Sequence, residues 1–139
     1  MAQMESNSTT LGKPRLHLPS TAEAAGIGQQ IVLDLYECGT ERFDDIEWVQ
    51  KTVVEAAERA RATIVQVVFH KFSPWGISGV VVIAESHISI HTWPERRYAA
   101  IDVFTCGPVL DLERAVAHLV RAFRCKHPHL RRIERGEKA

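Results

Sequence analysis

The chain has 139 residues, 45% of them hydrophobic, with 17 basic and 17 acidic side chains, which suits one domain with a sizeable core. That balance leaves no global electrostatic footprint for nucleic acid or an anionic membrane surface, and no apolar run approaches the ~18 residues of a membrane span. Cys38, Cys106 and Cys125 include no C-x-x-C pair and leave one thiol over after any single bridge, so a disulfide framework is not expected. The N-terminus lacks a basic patch followed by an apolar signal core, and a cytoplasmic location is expected.

Residues 1–26 are rich in Ser, Thr, Pro and Gly without periodicity and are expected to form a flexible leader, leaving residues 27–139 as the folded domain. Ile31 to Glu37 puts Ile31, Leu33 and Leu35 on one face and predicts a strand. Asp44 and Asp45 offer acidic caps to a helix in which Trp48, Val49, Thr52, Val53, Ala56, Ala57 and Ala60 recur at helical spacing. Thr63 to Lys71 is β-branched and strand-like, and Ser73-Pro74-Trp75-Gly76 ends it with turn chemistry. Gly79 to Ala84 reads as a buried strand. In His87 to Trp93, His87, Ser89 and His91 face one side while Ile88 and Ile90 face the other. Only Glu85-Ser86 separates these runs, which places that pair in or beside a tight turn.

Trp93 to Arg97 predicts a second turn and Tyr98 to Phe104 a further strand. Leu110 to Phe123 predicts a helix with Leu112, Ala115, Val116, Leu119, Val120 and Phe123 inward. The basic end, with Arg121, Arg124, Lys126, Arg131, Arg132 and Arg135, reads as a solvated helix face, and His127-Pro128-His129 as a solvated tail. The order β-α-β-β-β-β-α, with hairpin-length connections after the first helix, predicts an α+β fold. Its architecture is a two-layer sandwich, an antiparallel sheet packed against two helices.

Ser86 follows an acidic residue at a hairpin tip, His91 lies five positions on, and Cys106 ends the next strand. A hydroxyl, an imidazole and a thiol are therefore expected to converge at one end of the sheet. Three chemistries are open to such a set. Hydrolysis by Ser or Cys activated by His finds no nucleophile-elbow pattern in the flanks. A metal site built from His87, His91 and Cys106 suits the donor types. However, a separation of ~13 Å between positions i and i+4 of a strand is too long for both imidazoles to reach one ion without a bulge. The third chemistry is self-processing at the Glu85-Ser86 bond.

The stretch HKFSPWGISGVVVIAESHISIHTWPERRYAAIDVFTCG, His70 to Gly107, resembles the signature region of the prokaryotic S-adenosylmethionine decarboxylases, pyruvoyl enzymes of polyamine synthesis. Weaker similarity reaches back through IVLDLYECG, Ile31 to Gly39. The resemblance implies that the Ser86 hydroxyl attacks the Glu85 carbonyl, that β-elimination cuts the chain into a β chain of residues 1–85 and an α chain of residues 86–139, and that Ser86 ends as a pyruvoyl group. That group is the implied cofactor, acting as a Schiff-base electron sink, and no metal is implied. By the same resemblance His91 and Ser78 serve processing, Cys106 donates the proton that replaces CO₂, Phe72 and Trp93 sandwich the adenine ring, and Glu95 holds the ribose hydroxyls.

The implied activity converts S-adenosyl-L-methionine to S-adenosylmethioninamine for spermidine synthesis. The implied partners are that small-molecule substrate and further copies of the chain, in a homodimer or higher homo-oligomer with both protomers contributing to each site. Relatives with the same self-cleaving core act on arginine or ornithine, and an inert regulatory subunit is the reading from another class. The chain departs from the family at Gly28-Gln29-Gln30, where Gln30 stands in place of the usual His.

Overall fold

The computed structural model describes residues 26–106 and 110–136; the expected leader, apart from Gly26, lies outside them. Strand β1 spans Gly28–Cys38, helix α1 Ile46–Arg59, β2 Ile64–Lys71, β3 Ile77–Ile83, β4 Ser86–Trp93, β5 Tyr98–Thr105, helix α2 Leu112–Ala122 and β6 Cys125–Arg135. All the strands join one antiparallel sheet in the order β2-β3-β4-β5-β1-β6. The expected α+β sandwich is therefore present, with one strand more than the periodicity predicts.

That strand is β6. The basic end is not a solvated tail: His127, Pro128 and His129 lie in register with Tyr36, Leu35 and Asp34 of β1. Pro128 cannot donate to a ladder, which hides the strand in the sequence, but an edge strand with one unpaired side tolerates it. The arginines along β6 likewise suit an edge, where charge discourages further strand addition. Cys38 and Cys125, expected as packing residues, are both buried and stand opposite each other across β1 and β6.

Period-2 alternation decides which face each residue joins. Ile31, Leu33 and Leu35 of β1, Ile88 and Ile90 of β4, and Ala99, Ile101 and Val103 of β5 are buried beneath the helices. From α1 come Val49, Val53, Ala56 and Ala57, and from α2 Leu112, Ala115, Val116, Leu119 and Val120, with Phe123 just beyond it. Asp45 caps α1 by accepting from the Trp48 N–H at 3.1 Å, and Asp111 caps α2 by accepting from the Arg114 N–H at 3.2 Å. Asp44, the other predicted cap, accepts instead from the Gly76 N–H at 2.8 Å and pairs with Lys71 at 2.8 Å.

Among the described residues no helix covers the opposite face of the sheet. It presents Val32, Asp34 and Tyr36 from β1, Tyr98, Asp102 and Phe104 from β5, and His87, Ser89, His91 and Trp93 from β4. Among the described residues no helix is long and apolar enough to cross a membrane.

Candidate active site

The β3–β4 hairpin places the Glu85-Ser86 bond at one end of the sheet. Ile83 pairs with Ser86, so Ala84 and Glu85 form a two-residue turn and Ser86 opens β4. Ser86 takes φ 154°, a conformation that L side chains rarely adopt and that stores strain at the bond. The Glu85 carboxylate is tied back to the start of β2, accepting from the Thr63 N–H at 3.2 Å and lying 3.4 Å from the Thr63 hydroxyl. Its carbonyl oxygen points the other way and accepts from the Cys106 N–H at 3.0 Å. The exposed Cys106 thiol lies 3.3 Å from the same oxygen. This ladder bond leaves a backbone N–H aimed at the oxygen on which negative charge would develop if the Glu85 carbonyl carbon were attacked.

His91 and Ser78 occupy the opposite end of the sheet. They are register partners across β3 and β4, and Ser78 Oγ lies 2.7 Å from His91 Nδ1. Five residues of strand separate His91 from Ser86, about 16 Å at ~3.3 Å per residue. The predicted convergence at one end is thus corrected: Ser86 and Cys106 meet, whereas His91 and Ser78 do not join them within one chain. The cause is parity as well as distance. His91 points to the open face, while Ser86 shares its parity with the buried Ile88 and Ile90.

The aromatic and acidic residues implied for substrate binding lie with His91. Trp93 ends β4, stacks near Tyr98 at 5.2 Å between centroids and approaches His91 at 6.3 Å. Phe72 follows β2, packs edge-on to His70 at 4.5 Å, and its N–H donates to the Gly76 carbonyl at 2.8 Å. Asp44 holds that turn through Gly76 and Lys71. Although burial pushes its carboxyl up, the Lys71 ammonium and the Gly76 N–H hold it below the usual carboxylate range. Glu95 lies exposed in the single turn Pro94–Arg96 that follows β4. Phe72 and Trp93 are both partly exposed beside these neighbours.

Further groups on the open face were not flagged by the sequence. The Tyr98 hydroxyl donates to Asp34 at 2.5 Å, and burial followed by that carboxylate pushes the phenol up. Asp34 and Tyr36 line a cleft of about 350 Å³ with His129 and Arg131. Gln30 accepts from Arg135 Nη1 at 2.7 Å, and Arg135 lies over the Phe104 ring at 5.7 Å. The signal for these contacts is non-local: Tyr98–Asp34 joins β5 to β1, and β6 supplies one side of the others. Among the described residues no cluster of three His, Cys, Asp or Glu is arranged to hold an ion; His87 and Phe104 instead place their rings 6.2 Å apart.

Comparison with known proteins gives a consistent picture. The sequence model of the S-adenosylmethionine decarboxylase family matches residues 29–136. An S-adenosylmethionine decarboxylase proenzyme of Pseudomonas aeruginosa is 54% identical over 110 residues, spanning 79% of this chain and 69% of the relative. The proenzyme of that name from Thermodesulfovibrio yellowstonii is 49% identical over 110 residues, spanning 79% of this chain and 82% of its own. Among solved structures, the adenosylmethionine decarboxylase of Aquifex aeolicus superposes with a TM-score of 0.72 at 34% identity, covering 84% of this chain and 96% of that one.

Proposed function

Because the chain belongs to the S-adenosylmethionine decarboxylase family, we propose that it is a self-processing, pyruvoyl-dependent enzyme. It converts S-adenosyl-L-methionine to S-adenosylmethioninamine and CO₂ and so serves spermidine synthesis. The observation that carries this reading is the Glu85 carbonyl oxygen held by the Cys106 N–H at 3.0 Å, beside a strained Ser86. The names of the relatives favour neither the arginine or ornithine reading nor the inert subunit.

The chain's own groups account for the cut. Ser86 Oγ attacks the Glu85 carbonyl carbon, and the charge that grows on the oxygen is met by a donor already in place, at no cost in reorganisation. Breaking the Glu85–Ser86 C–N bond exchanges the amide for an ester and relieves the φ strain. Elimination then frees residues 1–85, and hydrolysis leaves the pyruvoyl group at the head of residues 86–139. That group supplies an electron sink when the substrate carboxylate departs. Cys106, exposed and already at the cut bond, is placed to return a proton to the substrate carbon.

His91 and Ser78 reach this bond from a second copy. In one chain the Ser86 end and the His91 end are about 16 Å apart, and the face between them carries aromatic and apolar side chains with no covering helix among the described residues. Two copies packed open face to open face, about a two-fold axis that runs across the strands, exchange ends. Each Glu85–Ser86 bond, half-buried at the end of the sheet, then lies beside the partner copy's His91–Ser78 pair, with Phe72, Trp93 and Glu95 next to it to take the adenosine. A homodimer is the smallest unit that completes a site.

Intact-mass analysis combined with CO₂ release tests the reading. The freshly folded chain is expected to split into residues 1–85 and 86–139, the second carrying a carbonyl that hydroxylamine captures, and to release CO₂ from S-adenosylmethionine. Ser86→Ala is expected to stay whole and inert. CO₂ release from an uncut chain, or release from arginine alone, contradicts it.

A further inference from the structure

Thr105 poses a problem that the reading above does not solve. Its side chain is buried, 4% exposed, and its hydroxyl has no hydrogen-bond partner among the described residues. Leaving a buried hydroxyl unsatisfied destabilises the fold, and a valine of the same shape would avoid that cost. Such an orphan in a well-packed strand calls for a reason.

Its position supplies one. Thr105 ends β5 and is the register partner of Ser86. The ladder bond beside the pair runs from the Cys106 N–H to the Glu85 carbonyl, 3.0 Å, one residue after Thr105 and one before Ser86. In an antiparallel ladder that pattern makes Thr105 and Ser86 a non-hydrogen-bonded pair, the narrow kind, with Cα atoms about 4.5 Å apart and side chains on one face. The ladder bond that holds the Glu85 oxygen therefore also sets the residue with the unpartnered hydroxyl directly across from the one whose attack opens the chain.

We propose that Thr105 is a positioning residue for self-cleavage: its hydroxyl accepts a hydrogen bond from Ser86 Oγ–H as Ser86 turns toward the Glu85 carbonyl carbon. The inference rests on the self-processing reading and adds a residue to it. In the step, the new bond is Ser86 Oγ to Glu85 C, the bond broken is Glu85 C to Ser86 N, and the Ser86 hydroxyl proton ends on that nitrogen. Thr105 gains and loses nothing. It fixes which oxygen lone pair faces the carbon, so that strain, oxyanion donor and nucleophile act together.

The role sets stability against rate, and this makes it testable. Thr105→Val and Thr105→Ser are compared with the parent by following appearance of the 86–139 fragment after refolding, with thermal midpoints measured on the same chains carrying Ser86→Ala so that none is cut. Thr105→Val is expected to slow cleavage about tenfold or more, the loss of one orienting hydrogen bond, while raising the midpoint. Thr105→Ser should cleave at close to the parent rate. Parent-like cleavage in Thr105→Val overturns the proposal, as does equal slowing in both variants or a lowered midpoint in Thr105→Val, which would make the hydroxyl a structural partner. A parent that is never cut sinks the self-processing reading itself, so the two failures are told apart.

Discussion

At the residue scale, one atom organises the site. The Glu85 carbonyl oxygen receives a backbone N–H and lies within reach of the thiol of the same residue, Cys106. Those two donors are separable, because a side-chain change leaves the N–H in place. Cys106→Ala is accordingly expected to keep most of its self-cleavage while CO₂ release by the cleaved protein falls about 10²-fold or more, the range for a lost proton donor. Comparing the cleavage rate with kcat for the variant checks this, and equal losses in both contradict the division of labour. The residue types were legible beforehand, since Glu85, Ser86, His91 and Cys106 stand in a continuous signature. Their distances were not. A strand period states the face a residue takes but not which copy of the chain its side chain serves.

At the scale of elements, α1, α2 and β1 to β5 could be drawn from periodicity because their apolar positions recur at 3.6 or 2 residues. β6 could not, because a proline and a run of arginines are the marks of an edge and also of a tail. The two helices meet over a buried titratable group. His118 of α2 lies 3.3 Å from Glu55 Oε1 of α1, too poorly aligned for a hydrogen bond. Burial lowers its pKa below the ordinary histidine value, and Arg59 and Arg121 add to this against the pull of Glu55. The unfolded chain therefore binds the proton more readily than the folded one. The helix interface keeps its full stability above about pH 6.5 and loses it as pH falls from there toward the lower folded value. A fall in thermal midpoint between about pH 7 and 5 that is steeper in the parent than in His118→Gln is expected; parallel curves would show that His118 does not titrate against folding.

Across the whole molecule, the sheet acts as a spacer. Its length keeps the strained bond and the Cys106 N–H at one end and the imidazole, aromatic rings and Glu95 at the other, and in the proposed homodimer its open face is the surface by which two copies bring unlike ends together. On that proposal neither half is a site alone. The arrangement makes complementation the most direct measurement. When Ser86→Ala and His91→Ala chains are produced together, each mixed dimer holds one site with both defects and one with neither. The His91→Ala chain should then be cut at Glu85–Ser86 to yield the 86–139 fragment, although neither variant is cut efficiently by itself. If His91→Ala stays whole in the mixture while the parent chain is cut, the imidazole does not act across copies and the account of a shared site is wrong.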